Sequence, residues 1–207
     1  MAADPKTLRL GCRCGRLQLR LDAITPAVAN RVACHCRGCT QFAHDMCPDI
    51  LDAWGGTQRL QVSPARVSIV AGHDALACRQ QTRKGALRWY ASCCDTPLGL
   101  TLSHAKVPFV GLDAHALDLG ETPLHSVLGP LRARVNLSPR PDNAKELKAD
   151  SAALFAMLRH LVPLTWRWWW RGDQHRSPFF DAKGNPVVDV DRRFARVLAL
   201  QKTAGCR

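Results

Sequence analysis

Residues 7–22 read TLRLGCRCGRLQLRLD, a stretch in which apolar and polar side chains alternate about a glycine-bounded turn. Successive side chains on a strand point to opposite faces, so Leu17, Leu19 and Leu21 fall on one side and Arg16, Gln18 and Arg20 on the other. The pattern predicts a half-buried β-hairpin that carries Cys12 and Cys14. Further short strand candidates follow at Arg31 to Cys36, Arg66 to Ala71, Leu87 to Ala91, Leu98 to Leu102 and Val107 to Leu112, separated by Gly, Pro, Asp or Ser. Strands this short and this closely spaced imply an antiparallel β core.

Beyond about residue 120 the texture changes. Ser138-Pro139-Arg140-Pro141-Asp142 is a turn-rich break, and Asn143 with Glu146 three residues later has the form of a helix N-cap and its reciprocal partner. Leu147, Leu154, Leu158, Leu161 and Val162 recur at helical spacing, which predicts a helix from about Ala144, kinked or stopped near Pro163. Residues 191–202, DRRFARVLALQK, suit a last short helix. The expected organisation is a mainly β domain at 1–120 and a largely α-helical extension at 121–207 packed on it, α+β overall.

Composition narrows the chemistry. The chain has 207 residues, enough to bury a core without crosslinks, and ten cysteines, so the compartment decides whether these are disulfides or metal ligands. Met1 to Leu10 has no apolar run of the signal-peptide kind, and no stretch of about 18 uncharged apolar residues occurs. The expectation is a soluble cytoplasmic protein with reduced thiols. A formal charge of +12 points to anionic partners, and falls only to roughly +9 if seven thiolates hold two zinc ions.

The cysteines cluster as Cys12 and Cys14, then Cys34, Cys36 and Cys39, then Cys93 and Cys94. On a strand, residues i and i+2 share a face, so each C-x-C pair can present two thiolates to one ion, and Cys39 would return from the Arg37-Gly38 turn as a third ligand. A zinc with three protein ligands keeps a position for water or substrate, whereas four close it. The plainer alternatives are disulfides, buried small hydrophobes, or a structural zinc closed by a fourth residue. His35, between two ligands, should point to the opposite strand face as a packed or exposed imidazole.

Gly11-Cys12-Arg13-Cys14-Gly15, Cys34-His35-Cys36-Arg37-Gly38-Cys39 and Cys94-Asp95-Thr96-Pro97-Leu98, in that order over about residues 8–118, resemble the motifs of the glutathione-dependent formaldehyde-activating family, which includes centromere protein V. The resemblance implies a β-tent fold with two zinc sites. Cys34, Cys36 and Cys39 would bind the catalytic ion, and Cys12 and Cys14 would join a later C-x-x-C pair in the structural one. The chain departs from that pattern: Ala91 stands where the first cysteine of the later pair belongs, and Asp95 replaces a glycine. That site would then use Cys12, Cys14, Cys93 and Cys94, recruit Cys78 or His104, or hold no ion, leaving one or two zinc ions per chain.

The implied activity is carbon–sulfur lyase chemistry on a small thiol adduct of the S-hydroxymethylglutathione type. Arg13, Arg37 and Arg88 are candidates for a basic mouth that receives the glutathione carboxylates, and His44 and Asp45 lie near enough in sequence to serve in proton transfer. The rival is a non-catalytic zinc-stabilised module for nucleic acid or an acidic partner. Trp166-Arg167-Trp168-Trp169-Trp170-Arg171 supports it, since aromatic and cationic side chains together suit single strands or an anionic membrane surface. Packing or an oligomer contact is the expected use of that segment, because indoles bury large areas.

Overall fold

The computed structural model describes residues 4–137 and 150–192. The opening hairpin forms as its alternation requires. Strands β1 (Lys6–Gly11) and β2 (Gln18–Ile24) pair antiparallel with Leu10 opposite Leu19, and Leu17, Leu19 and Leu21 are fully buried. With β5 (Val67–Ala71) and β10 (Leu117–Asp118) they make a four-stranded sheet in the order β10-β1-β2-β5.

The second sheet has eight strands in the order β11-β3-β4-β9-β8-β7-β6-β12. Its members are β3 (Asn30–Cys34), β4 (Thr57–Val62), β6 (Leu76–Gln80), β7 (Leu87–Ala91), β8 (Thr96–Thr101), β9 (Val110–Asp113), β11 (Ala133–Val135) and β12 (Val190–Asp191). Its inner pairings are antiparallel, and β11 and β12 add in parallel at the two edges. The chain is therefore mainly β in two sheets and α+β overall.

One core joins both sheets: Leu10, Leu19 and Leu21 from the small one meet Leu60, Leu98 and Leu112 from the large one. Trp89 sits in it with its Nε1 donating to Thr101 Oγ1 at 3.0 Å, so the indole buries its area without an orphaned donor. Phe179, from far along the chain, packs on Trp89 with ring centroids 4.8 Å apart and is fully buried.

Three α-helices are described besides: α1 (Arg37–Met46), α2 (Leu124–Leu128) and α3 (Ser151–Trp170). Helix α1 corrects the expected strand through Cys36. The strand ends at Cys34, and Cys36 becomes the N-cap of α1, its sulfur accepting the Cys39 backbone N–H at 3.3 Å. Strands β4 and β6 escaped the sequence reading because Arg59 and Gln80 break their apolar pattern.

Asp150 caps α3, its Oδ1 accepting from Ala153 N at 3.0 Å. The expected cap at Asn143 and start at Ala144 lie outside the described residues. Pro163 does not stop α3, which runs seven residues further to Trp170 despite a lost N–H that costs about 3 kcal/mol in a helix interior. Of the expected helix at 191–202, residues 193 onward lie outside the described residues, and Asp191 belongs to β12.

Candidate metal centres

Cys12 and Cys14 leave β1 into a tight turn rather than lying on a strand, and Gly15 closes it at a φ of 76°. Within the turn Gly15 N donates to Cys12 O at 2.9 Å, while Leu17 N reaches the Cys12 sulfur at 3.3 Å. A second turn, 92–95, faces the first and carries Cys93 and Cys94. Adjacent residues diverge on a strand but converge through a turn, and here all four sulfurs lie within 4.8 Å of one another. Cys12 to Cys14 is 3.5 Å, Cys12 to Cys93 is 3.8 Å, Cys14 to Cys93 is 3.2 Å and Cys93 to Cys94 is 3.8 Å.

A tetrahedral ion with sulfur ligands at about 2.3 Å would set those sulfurs about 3.8 Å apart. The tetrad fits a metal ion, and Cys93 takes the place expected of Ala91, which is fully buried in β7. Asp95 adopts a φ of 52°, the left-handed region that favours the glycine it replaces. Neither other candidate ligand joins: Cys78 is buried in the core and its thiol is pushed up to about 12 by burial, and His104 is exposed. At Cys94 burial works against the thiolate, but hydrogen bonds from Thr96 Oγ1 at 3.1 Å and from the Cys14 backbone outweigh it and bring the thiol down to about 6. Cys93 is pushed up to about 12 by desolvation and by its contacts with Cys14 and Cys12.

The second cluster is built differently. Cys34 ends β3, Cys36 caps α1, and Cys39 lies in the first turn of α1, so the positive end of the helix faces the sulfurs. Cys34 and Cys39 are buried with sulfurs 3.4 Å apart, and Cys36 is half-buried. The three sulfurs lie within 4.8 Å of one another, and no fourth His, Cys, Asp or Glu joins them among the described residues. Hydrogen bonding with Cys36 and Cys39 pushes the Cys34 thiol far up, and hydrogen bonding with Cys34 and Cys36 holds Cys39 well down.

Two guanidinium groups back this trio. Arg88, expected at a solvent-facing mouth, is instead buried, with Nη1 3.6 Å from the Cys39 sulfur and its guanidinium over the Phe42 ring at 5.5 Å. Gly38 makes room for it, since a Cβ there would stand 2.6 Å from Arg88 Nη2. Arg59, on β4, pairs with the fully buried Asp113 at 2.9 Å. Burial opposes the Arg59 charge, but Asp113 and the Cys39 and Cys34 sulfurs outweigh burial and raise its pKa. Burial also pushes the Asp113 carboxyl up against the pull of Arg59; at 2.9 Å from a guanidinium that keeps its proton, we take the pair as ionic.

Asn136 approaches from beyond β11, its side-chain nitrogen 3.6 Å from the Cys34 sulfur, with a φ of 54°. Arg59, Asp113 and Asn136 carry no motif, and only the pairing of β4 with β3 and β9 and of β11 with β3 reveals them. With all three sulfurs as thiolates, these and the Asp113 carboxylate would exceed the two guanidinium charges by two, and a divalent cation would make the assembly neutral. The donor set fits such an ion.

The other expected residues lie elsewhere. Arg13 braces the tetrad, its Nη2 donating to Cys94 O at 2.7 Å and its backbone N to Thr96 Oγ1 at 3.1 Å. Arg37 is exposed at the start of α1. His44 and Asp45 are at the far end of the same helix, where Asp45 accepts from Gln41 Nε2 at 2.7 Å. His35 is buried with its Nε2 3.1 Å from Asp52 Oδ2, as a packed imidazole.

A family model described as a family of unknown function (DUF6151) matches residues 5–191. A crystal structure of a Rhodobacter sphaeroides protein is similar at a TM-score of 0.42 and 14% identity, over 59% of this chain and 96% of that chain. No match is found among curated proteins.

Proposed function

We propose that this chain, which belongs to the DUF6151 family of unknown function, is a two-zinc protein that makes or breaks the carbon–sulfur bond of a small thiol adduct. The observation that carries the reading is the inequality of the two cysteine clusters, four sulfurs in one and three in the other. Zinc suits both, because thiolate donors in tetrahedral spacing favour it, and four thiolates close a site that three leave open. The tetrad is the structural site in this reading, and Cys34, Cys36 and Cys39 hold the catalytic ion. The resemblance to the glutathione-dependent formaldehyde-activating family, with its β-tent fold, supports the same division.

When bound at the trio, zinc would supply Lewis acidity and stabilise a thiolate at neutral pH. The chain's own residues do the rest. Arg88 and Arg59 favour the ionised form of Cys39 from the buried side, and Gly38 keeps the path between Arg88 and Cys39 clear. Cys36, half-buried, marks the side from which a thiol adduct would approach, and the exposed Arg37 stands beside it to receive a carboxylate such as those of glutathione. The reaction is addition of a thiol across an aldehyde carbonyl, or its reverse: a carbon–sulfur bond forms and the thiol proton passes to the carbonyl oxygen.

The alternative of a non-catalytic zinc-stabilised module for nucleic acid or an acidic partner has one observation in its favour, the exposure of Trp166, Trp169 and Trp170. The experiment that separates the readings is metal stoichiometry on protein purified under reducing conditions, for the native chain and Cys36→Ser, followed by the rate of adduct formation from glutathione and formaldehyde. The expected result is two zinc ions falling to one, with loss of the rate enhancement. Two zinc ions without any enhancement would favour the module, and no zinc in the native protein would sink both readings.

A further inference from the structure

Helix α3 has two apolar faces, and among the described residues only one of them is covered. Met157, Leu164 and Trp168 are buried, and Met157 packs with Val32 of β3 and Ala133 of β11. At 100° per residue, Leu154, Phe155, Leu158, Val162, Trp166 and Trp169 fall on an adjoining arc, and every one is exposed. Phe155 is 68% exposed, Val162 60% and Trp166 60%, and Trp170 extends the patch at 69%. The indoles pack on one another, Trp166 stacked on Trp169 at 5.8 Å and edge-to-face with Trp170 at 6.1 Å. The exposed surface exceeds roughly 600 Å², beyond the largest apolar patch of an ordinary monomer.

The charge around the patch says what covers it. The 20 residues of α3 contain no Asp or Glu, and Arg159 and Arg167 are both exposed. Arg171 and Arg176 continue the basic rim past its end with side chains 50% and 65% exposed, near the buried Asp173. A second copy would bring these arginines against one another with no acidic partner on the helix. Nucleic acid would use the indoles, but Leu154, Leu158 and Val162 offer nothing on which a base can stack. No described helix is long and apolar enough to cross a membrane. What matches indoles, aliphatic side chains and arginines on one helix is the headgroup boundary of an anionic bilayer.

We infer that α3 docks the protein on an anionic lipid surface, lying in the interfacial plane with Phe155, Val162 and the exposed indoles inserted and Arg159 and Arg167 on the phosphates. This surface is independent of the cysteine sites.

The test uses the full metal-loaded chain with phosphatidylcholine vesicles and with vesicles containing phosphatidylglycerol. It reads co-sedimentation and quenching of tryptophan emission by brominated lipid. The expected result is binding to the anionic vesicles, weakened by salt, with quenching that reports indoles in the bilayer. Arg159→Gln with Arg167→Gln should lower the partition about 20- to 30-fold, at about fivefold per charge. Trp166→Ser with Trp170→Ser should lower it at least about a hundredfold. The melting temperature of each variant serves as the folding control, since these side chains are exposed. Failure to sediment at about 1 mM anionic lipid, equal binding to both vesicle types, a reversible dimer that the tryptophan pair abolishes without vesicle binding, or capture of a single-stranded oligonucleotide without vesicle binding would each overturn the inference.

Discussion

Replacing Arg88 by Met isolates the charge behind the three-thiol site. Met keeps most of the apolar stem that runs over Phe42, while the cation 3.6 Å from the Cys39 sulfur is removed. In the metal-bound form, the guanidinium groups of Arg59 and Arg88 and a divalent ion balance three thiolates and the Asp113 carboxylate. Without Arg88 the buried assembly carries one uncompensated negative charge. In the metal-free form the thiols take up protons instead, so the loss falls on the bound state and appears as weaker metal affinity. Coulomb's law at 3.6 Å and an effective dielectric near 20 sets a ceiling of about 5 kcal/mol, and removing an outer-shell group typically costs about 10- to 100-fold in affinity. The expected result is a fall within that range at the trio and none at the tetrad, read by competition with a chromophoric zinc chelator that resolves the two sites. Arg88→Lys, which keeps the charge and loses the planar fork, should lie between native and Met. If Arg88→Met binds its second ion as tightly as the native chain, the trio is not a charge-compensated thiolate site and the reasoning fails.

Three further outcomes follow from the same geometry. Cys93→Ser should cost one metal equivalent, while Ala91→Cys should add none, because Ala91 is sealed in β7 and Cys93 already completes the tetrad; elemental analysis reads both. Phe179→Ala should destabilise the chain by about 3–5 kcal/mol in urea unfolding, as for a large aromatic removed from a packed core, and a loss under about 1 kcal/mol would place Phe179 outside the cooperative unit. In metal-free protein shown to be folded by circular dichroism, limiting iodoacetamide at neutral pH should label Cys94 well before Cys93. Cys94, at about 6, is mostly thiolate above that pH, whereas Cys93, at about 12, stays protonated until strongly alkaline conditions. Peptide mapping that finds Cys93 labelled first would contradict the assignment.

Much of the β architecture was legible because period-two burial writes itself into sequence. Leu17, Leu19 and Leu21 mark their strand without outside information, and the 87–91 strand was read with its observed bounds. Helix α1 was not legible, because it starts only three residues after the strand ends at Cys34 and its N-cap is a cysteine, not one of the usual oxygen-bearing caps. The sulfur takes the capping role because its lone pairs, which suit a metal, also accept a backbone N–H. Ala91 looked like a missing ligand, and only the 92–95 turn shows how neighbouring cysteines converge on one point.

What the motifs could not disclose is the buried charge. Arg59 and Asp113 come from strands that meet only in the assembled sheet, and Arg88 reads as a surface residue until Gly38 is seen to admit it. A cysteine motif announces ligands, which must be close in sequence to be held by one turn. The groups that keep a ligand ionised need only be close in space, and Arg59 and Arg88 lie on two different strands, β4 and β7. Arg59 has the Asp113 carboxylate as its partner, but burying Arg88 as well beside a neutral thiol cluster would leave one cation in excess at a cost of several kcal/mol. That excess charge is therefore better evidence for a thiolate at Cys39 than the C-x-C-x-x-C spacing itself.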